Sequence, residues 1–284
     1  MPRRLDAGRI ALFVCLALCA LFFLLPLYVL VATAFKPLEE IRVASALALP
    51  GTITIEPIGR AWGSACIGAV CEGLQGNVWN SVRIAVPAVV VAVGFGAVNG
   101  YALSRWRVPG AHLLFGFLIA ANFLPYQAVL VPAAITLSGL GLFGTSEGLV
   151  LVHVVYGMPT MTILFRNFFL TVPDELLKAA RIDGAGFWRI LVHVMMPLAR
   201  PMLAVAVILQ FTAVWNDYLF ALVFGGRAAP VTVALNNLIN AEIGEKQYNV
   251  NMAGVLLTVL PTILVYLLAG RWFMRGLAAG AIRG

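Results

Sequence analysis

The chain has 284 residues, 62% of them apolar and 11% charged, a balance that excludes an ordinary soluble globular domain. A net charge of +7 would raise the question of nucleic acid in a soluble protein, but here the basic residues punctuate apolar runs and read as an orientation signal. Runs of roughly 20 apolar residues, at about 1.5 Å per residue, cross a hydrocarbon core of about 30 Å. Lipid leaves no backbone group unpaired, so an all-α membrane protein is predicted.

Apolar length predicts six transmembrane helices, at Ile10–Phe35, Trp79–Ser104, Ala111–Leu137, Glu147–Phe169, Pro201–Phe224 and Ala253–Phe273. They make one membrane domain over 10–273, flanked by an amino terminus (1–9) and a tail (274–284). The first span follows Pro2-Arg3-Arg4, is too long for a signal-peptide core, and reads as a retained signal anchor. Within it Cys15 and Cys19 read as small packing residues. The next segment, 36–78, is the longest polar one, with Pro37, Pro50, Pro57 and a strand-like run Thr52-Ile53-Thr54-Ile55. Its Cys66 and Cys71 stand at C-x4-C spacing: a small disulfide is allowed if the segment is extracytoplasmic, and metal binding is disfavoured because no His is near.

In the second span Gly94, Gly96 and Gly100 allow close helix approach, with Asn99 and Tyr101 packing beside them. The third span holds Pro125 and Pro132, which kink or break a helix and free carbonyls where a cavity is lined. Asn122, Tyr126 and Gln127 beside them are candidates for a solute pathway. In the fifth span Asp217 is the one carboxylate well inside an apolar segment, so it should face water or the bundle interior. With Trp215 and Asn216 it reads either as pathway lining or as a helix-packing contact. His112, His153 and His193 form no ligand pattern and read as structural, and no nucleophile elbow or zinc spacing occurs. An intramembrane enzyme is disfavoured.

Most of the 19 Lys and Arg fall on one side of the six spans: Arg3, Arg4, Arg9, Arg105, Arg107, the connection from Arg166 to Arg200, and Arg271, Arg275 and Arg283. That side is predicted to be cytoplasmic and to hold both termini. In its connection, Thr171 is placed as an N-cap, Pro173 in the first turn, Asp174 and Glu175 against the helix dipole, and Gly184 and Gly186 at the end. A short helix outside the membrane is predicted, with Leu176, Ala179, Ala180 and Ile182 set among charges.

This connection resembles the EAA loop of bacterial ABC importer permeases: Lys178-Ala179-Ala180, then Gly184, then Val194-Met195-Met196-Pro197 at the family spacing. Pro173-Asp174-Glu175-Leu176 and Arg181-Ile182-Asp183-Gly184-Ala185 are similar to the carbohydrate branch that includes the maltose permease subunits. So are Phe35-Lys36-Pro37, Asn80-Ser81, Tyr101-Ala102-Leu103-Ser104-Arg105 and Trp215-Asn216-Asp217-Tyr218. Cys66 and Cys71, the run from Val231 to Asn237 and the tail from Leu277 to Ala281 look most like glucose or mannose permeases. The family's leading Glu, which pairs with a basic residue of the ATPase, is replaced by Lys178; Glu175, at i, i+3, is the alternative carboxylate.

The resemblance implies a type I ABC importer permease fold with a cytoplasmic coupling helix. It implies ATPase coupling through Asp174, Glu175, Lys178, Ala179, Ala180, Asp183, Gly184 and Pro197. No Walker A motif is present, so ATP and Mg are expected on a partner ATPase dimer and no cofactor on this chain. Six spans are few for an alternating-access pore, which implies a second permease subunit in a heterodimeric pore, with an extracytoplasmic sugar-binding protein and membrane lipid as further partners. The rival reading is an ion-coupled secondary transporter with Asp217 as its ion site, which would have no need of the spacing around Gly184.

Overall fold

The computed structural model describes residues 7–43, 45–68, 70–240 and 246–281. Arg3, Arg4 and Arg283 lie outside the described residues, as do the side chains of Arg271, Arg275 and the stretch from Leu277 to Ala281. In chain order the α-helices are α1 (Ala7–Ala34), α2 (Leu38–Val43), α3 (Glu56–Gly63), α4 (Gln75–Arg105), α5 (Ala111–Asn122), α6 (Leu130–Gly139) and α7 (Ser146–Leu170). They continue as α8 (Asp174–Ile182), α9 (Phe187–Ile190), α10 (Met196–Leu198), α11 (Arg200–Trp215), α12 (Leu219–Phe224), α13 (Val231–Asn240) and α14 (Tyr248–Ala281). A π-helical turn over Leu191–Met195 joins α9 to α10.

Four helices are long and apolar enough to cross a membrane: α1, α4, α7 and α14. Two further spans are broken, 111–122 with 126–139 bent by 102° and 187–198 with 200–215 bent by 83°, which makes six if each bent pair is one span. Proline causes both breaks, since Pro125 cannot donate to Ala121, nor Pro197 to His193, nor Pro201 to Pro197. The fifth predicted span, Pro201–Phe224, is corrected: α11 stops at Trp215, and after Asn216-Asp217 the chain restarts as α12. Val231–Asn240, outside every predicted span, forms α13.

The chain divides into two compact units. The first holds residues 1–76 and 234–259. Its α1 is exposed along nearly its whole length; Cys15 and Cys19, read as packing residues, lie on this open surface beside Leu16 and Leu18. Lys36, only 2% exposed, donates from Nζ to Ala48 O at 2.5 Å, and the Lys36 carbonyl accepts from Asn249 at 3.2 Å. Glu40 accepts from Gly51 N at 2.7 Å and Thr52 N at 3.2 Å, and Thr54 N donates to Phe35 O at 2.9 Å. The run 52–55 is therefore no strand, because the N–H groups of Thr52 and Thr54 go to separate partners instead of to a ladder. Cys66 and Cys71 are joined as a disulfide. Gly254 of α14 receives Leu74, Leu235 and Leu238 side chains.

The second unit holds residues 77–233 and 260–284. Its core joins Val89, Ala97 and Tyr101 of α4, Met161, Phe165 and Phe169 of α7, Leu177 of α8, and Ile190, Leu191 and Met195 beyond it. Gly96 and Gly100 let α4 lie against the α7 backbone: a Cβ on Gly100 would stand 2.7 Å from Arg166 N. At the start of α4, Asn77 donates to Ala229 O at 2.8 Å, and Ser81 Oγ accepts from Val231 N at 2.8 Å, which fixes the turn into α13.

Candidate functional site

Two places in the second unit collect the residues singled out in the sequence. The first is α8. Its N-cap is Pro173, not Thr171, which instead closes α7 by donating its hydroxyl to Phe168 O at 2.7 Å. Its end is a full Schellman closure: Gly184, at φ +76°, donates to Arg181 O at 3.0 Å, and Ala185 donates to Ala180 O at 2.9 Å. Gly186 is extended and opens α9, so it takes no part in ending α8.

One side of α8 sinks Leu177, 4% exposed, into the core. Glu175, Lys178, Ala179, Asp183 and Gly184 are exposed, and Ala180 is half-buried. Leu176 at 45% and Ile182 at 86% keep an apolar surface among these charges, and Pro197 is exposed on α10. Glu175 and Lys178 share the outward side at i, i+3. Asp174 turns back and pairs with Arg105 at the end of α4. The guanidinium of Arg105 also donates to the carbonyls of Phe169 and Val172, and Arg181 donates to Arg105 O at 3.3 Å while lying 5.5 Å over the Trp106 ring. The sequence reading places Arg105 and Arg181 among the orientation charges and in runs shared with the permease branch, and gives neither a contact. The acid at Asp174, adjoining a span end opposite a basic span end, was the available signal.

The second place is a cavity of about 280 Å³ lined by Tyr126, His153, Tyr156, Gly157, Gln210, Ala213, Val214, Asp217 and Phe220. Both broken spans meet it. At the first break Tyr156 donates to the freed Leu124 carbonyl at 2.9 Å, and Thr160 donates to Asn122 Oδ1 at 2.5 Å, so α7 satisfies the end of α5. At the interruption between α11 and α12, the Asp217 carboxylate accepts from Phe220 N at 3.3 Å and Ala221 N at 2.9 Å, capping α12, while its own carbonyl accepts from Thr232 at 2.6 Å. His153 Nε2 stands 3.8 Å from Asp217 Oδ2, and buried Gln210 donates to His153 O at 3.2 Å.

Of the pathway candidates, Tyr126 and Asp217 line this cavity together. Asn122 is exposed and bound to Thr160, Gln127 and Asn216 are exposed, and Trp215 is buried, stacked on Phe211 at 5.4 Å; none of these four lines the cavity. His153, Tyr156 and Gln210 were not among the candidates, although a glutamine inside an apolar run was a legible sign. Among the described residues no group of His, Cys, Asp and Glu could hold a metal ion.

The helical order, the tethered α8 and the paired breaks define a membrane transport component. The family described as binding-protein-dependent transport system inner membrane component matches residues 84–278, and the chain belongs to it. The chain is similar to a probable ABC transporter permease protein of Pyrococcus horikoshii, at 34% identity over 99% of this chain and 100% of that one. It is similar to the xylose/arabinose import permease protein of Haloferax volcanii, at 33% identity over 92% and 89% of the two chains. With the sn-glycerol-3-phosphate transport system permease protein of Yersinia pestis the figures are 32%, 90% and 91%. The fold matches a chain in the crystal structure of a bacterial ABC transporter involved in the import of the acidic polysaccharide alginate, with a TM-score of 0.82 at 22% identity over 96% of this chain and 99% of that chain.

Proposed function

We propose that this chain is one permease subunit of an ATP-driven sugar importer, with glucose or mannose as solute. It forms half of an alternating-access pore beside a second permease. An ATPase dimer carrying ATP and Mg docks on α8, and an extracytoplasmic sugar-binding protein delivers the solute. The observation that carries this reading is α8 itself: a short stiff helix held from within the chain, turning Glu175, Lys178, Ala179 and Ile182 outward. Such a surface transmits force and performs no chemistry.

The sugar class is supported by the xylose/arabinose relative and by a second structure of lower similarity, TM-score 0.67, of a bacterial alginate ABC transporter in complex with an alginate pentasaccharide-bound periplasmic protein. Glucose or mannose rests on the resemblance of Cys66, Cys71 and the run from Val231 to Asn237. The excess of Arg and Lys around α8 and at both ends supports a bacterial inner-membrane orientation with both termini cytoplasmic.

The test is reconstitution with the partner permease, ATPase and binding protein in proteoliposomes, against a panel of sugars. Uptake should need ATP, survive a proton uncoupler, and respond to glucose or mannose above pentoses and sugar phosphates. Uptake by this chain alone, driven by an ion gradient, would sink the reading.

A further inference from the structure

We propose that Arg105 is a positioning residue for coupling: it sets the angle between α7 and α8 from a third helix, so that a displacement of α8 is carried into α4 as well as α7. This rests on the reading of α8 as the ATPase-facing helix.

The need for such a residue begins with Pro173. In a continuing helix the amide of residue 173 would donate to the Phe169 carbonyl, and proline has none to give. That carbonyl keeps a backbone bond from Val172 N at 3.2 Å, and Arg105 adds charge-assisted donors, Nε at 2.9 Å and Nη2 at 2.5 Å. Nη2 also reaches Val172 O, and Nη1 reaches Asp174 Oδ1. The acceptors therefore lie on the last turn of α7, on the linker and on the first residue of α8, and one planar fork holds all of them. Only 10% of the Arg105 side chain is exposed, against 63% of Asp174, so the bonds to the Phe169 and Val172 carbonyls are the sheltered ones and the ion pair is screened by solvent.

The bond runs in both directions, because Arg181 of α8 donates to the carbonyl of Arg105, the last residue of α4. Beside this exchange Tyr101, fully buried, sits 6.1 Å from the Phe169 ring and 4.8 Å from the Phe187 ring. Gly100 keeps the α4 backbone against Arg166. Three helix ends are thus joined at one guanidinium, and α4 has no other polar side-chain bond to the linker or to Asp174 among the described residues.

The assembled transporter in proteoliposomes, carrying Arg105→Gln, Arg105→Lys or Asp174→Asn, decides the matter by sugar taken up per ATP hydrolysed. Arg105→Gln should keep ATP hydrolysis yet lower uptake per ATP by at least about tenfold, the factor expected for losing even one of its four charge-assisted hydrogen bonds. Arg105→Lys should recover only part, since one ammonium cannot bridge acceptors on three segments. Asp174→Asn should lose least, because both carbonyl bonds remain. Uptake per ATP unchanged in Arg105→Gln overturns the proposal, and so does full recovery in Arg105→Lys with Asp174→Asn as poor as Arg105→Gln. Should Arg105→Gln fail to assemble, the order of the other two variants still decides. Amide exchange on the chain alone in detergent gives a readout independent of any ATPase: residues 174–182 should exchange faster in Arg105→Gln, and unchanged exchange counts against the tether. If the parent assembly shows no ATP-driven uptake, the importer reading falls while the exchange experiment still judges Arg105.

Discussion

His153 Nε2 lies 3.8 Å from Asp217 Oδ2, so the interior of α7 faces the break between α11 and α12. The carboxylate is already committed to the amides of Phe220 and Ala221. Its first task is therefore to hold α12 in place, and an ion site at this position would have to compete with that cap.

Asp217→Ala should destabilise the detergent-solubilised protein by about 1 kcal/mol through loss of the cap, and Asp217→Asn should restore most of it, since Asn caps as well as Asp. Thermal unfolding midpoints check this. Equal losses in the two variants would show that the negative charge matters and the capping geometry does not.

The glycines of α4 make a matched comparison. A Cβ on Gly100 would stand 2.7 Å from both Arg166 N and Phe165 Cβ, whereas on Gly94 it would meet nothing within 4 Å. Gly100→Ala should cost about 1–3 kcal/mol by forcing α4 from α7. Gly94→Ala should be neutral or slightly stabilising, because alanine is the better helix former. The same melting experiment on both variants tests the crossing.

Apolar length placed four spans over the long helices α1, α4, α7 and α14 and the third over the bent pair 111–122 and 126–139, because lipid demands such length of any helix that crosses. The fifth span failed at Asn216-Asp217: a polar pair inside an apolar run reads as lining or packing, and only coordinates reveal that its carboxylate starts a new helix. The loop spacing located α8, since Pro173 and Gly184 punctuate it chemically. Thr171 was misassigned because a hydroxyl three residues before an acidic turn satisfies a preceding carbonyl as readily as a following amide. Arg105 was harder to read for a different reason. Pro173 marks the missing donor to Phe169 O, but the carbonyls that Arg105 reaches lie 64 and 67 positions away, and nothing in one sequence says which side chain arrives there.

Gly184 has open space around it but a φ of +76°. A substitution there is penalised by backbone conformation and not by crowding, at about 1 kcal/mol for a residue with a Cβ. ATP-driven uptake should therefore fall more in Gly184→Val than in Gly184→Asn, since Asn visits this region more readily. Equal defects would point to a contact made by the glycine face itself.

Glu40, on α2, predicts a pH response. The Gly51 amide, and then the Thr52 amide and the Lys36 charge, hold its carboxyl below the ordinary value of 4.5. A depressed pKa contributes stability that is complete above the unfolded value and lost as pH falls through the folded one. Exchange protection of the Gly51 and Thr52 amides, corrected for intrinsic rate, should be flat from neutral pH down to the ordinary carboxylate range and decline below it. Glu40→Ala should abolish the protection at every pH.

The closure of α8 by Gly184 and Ala185, with Arg105 and Arg181 at its other contacts, also bears on how quickly two proteins can meet. A loop whose φ and ψ are fixed before an encounter has little chain freedom to surrender when it is covered. Recognition of this helix should then resemble the docking of preformed surfaces, with association rates set by orientation and charge and little dependence on a folding step.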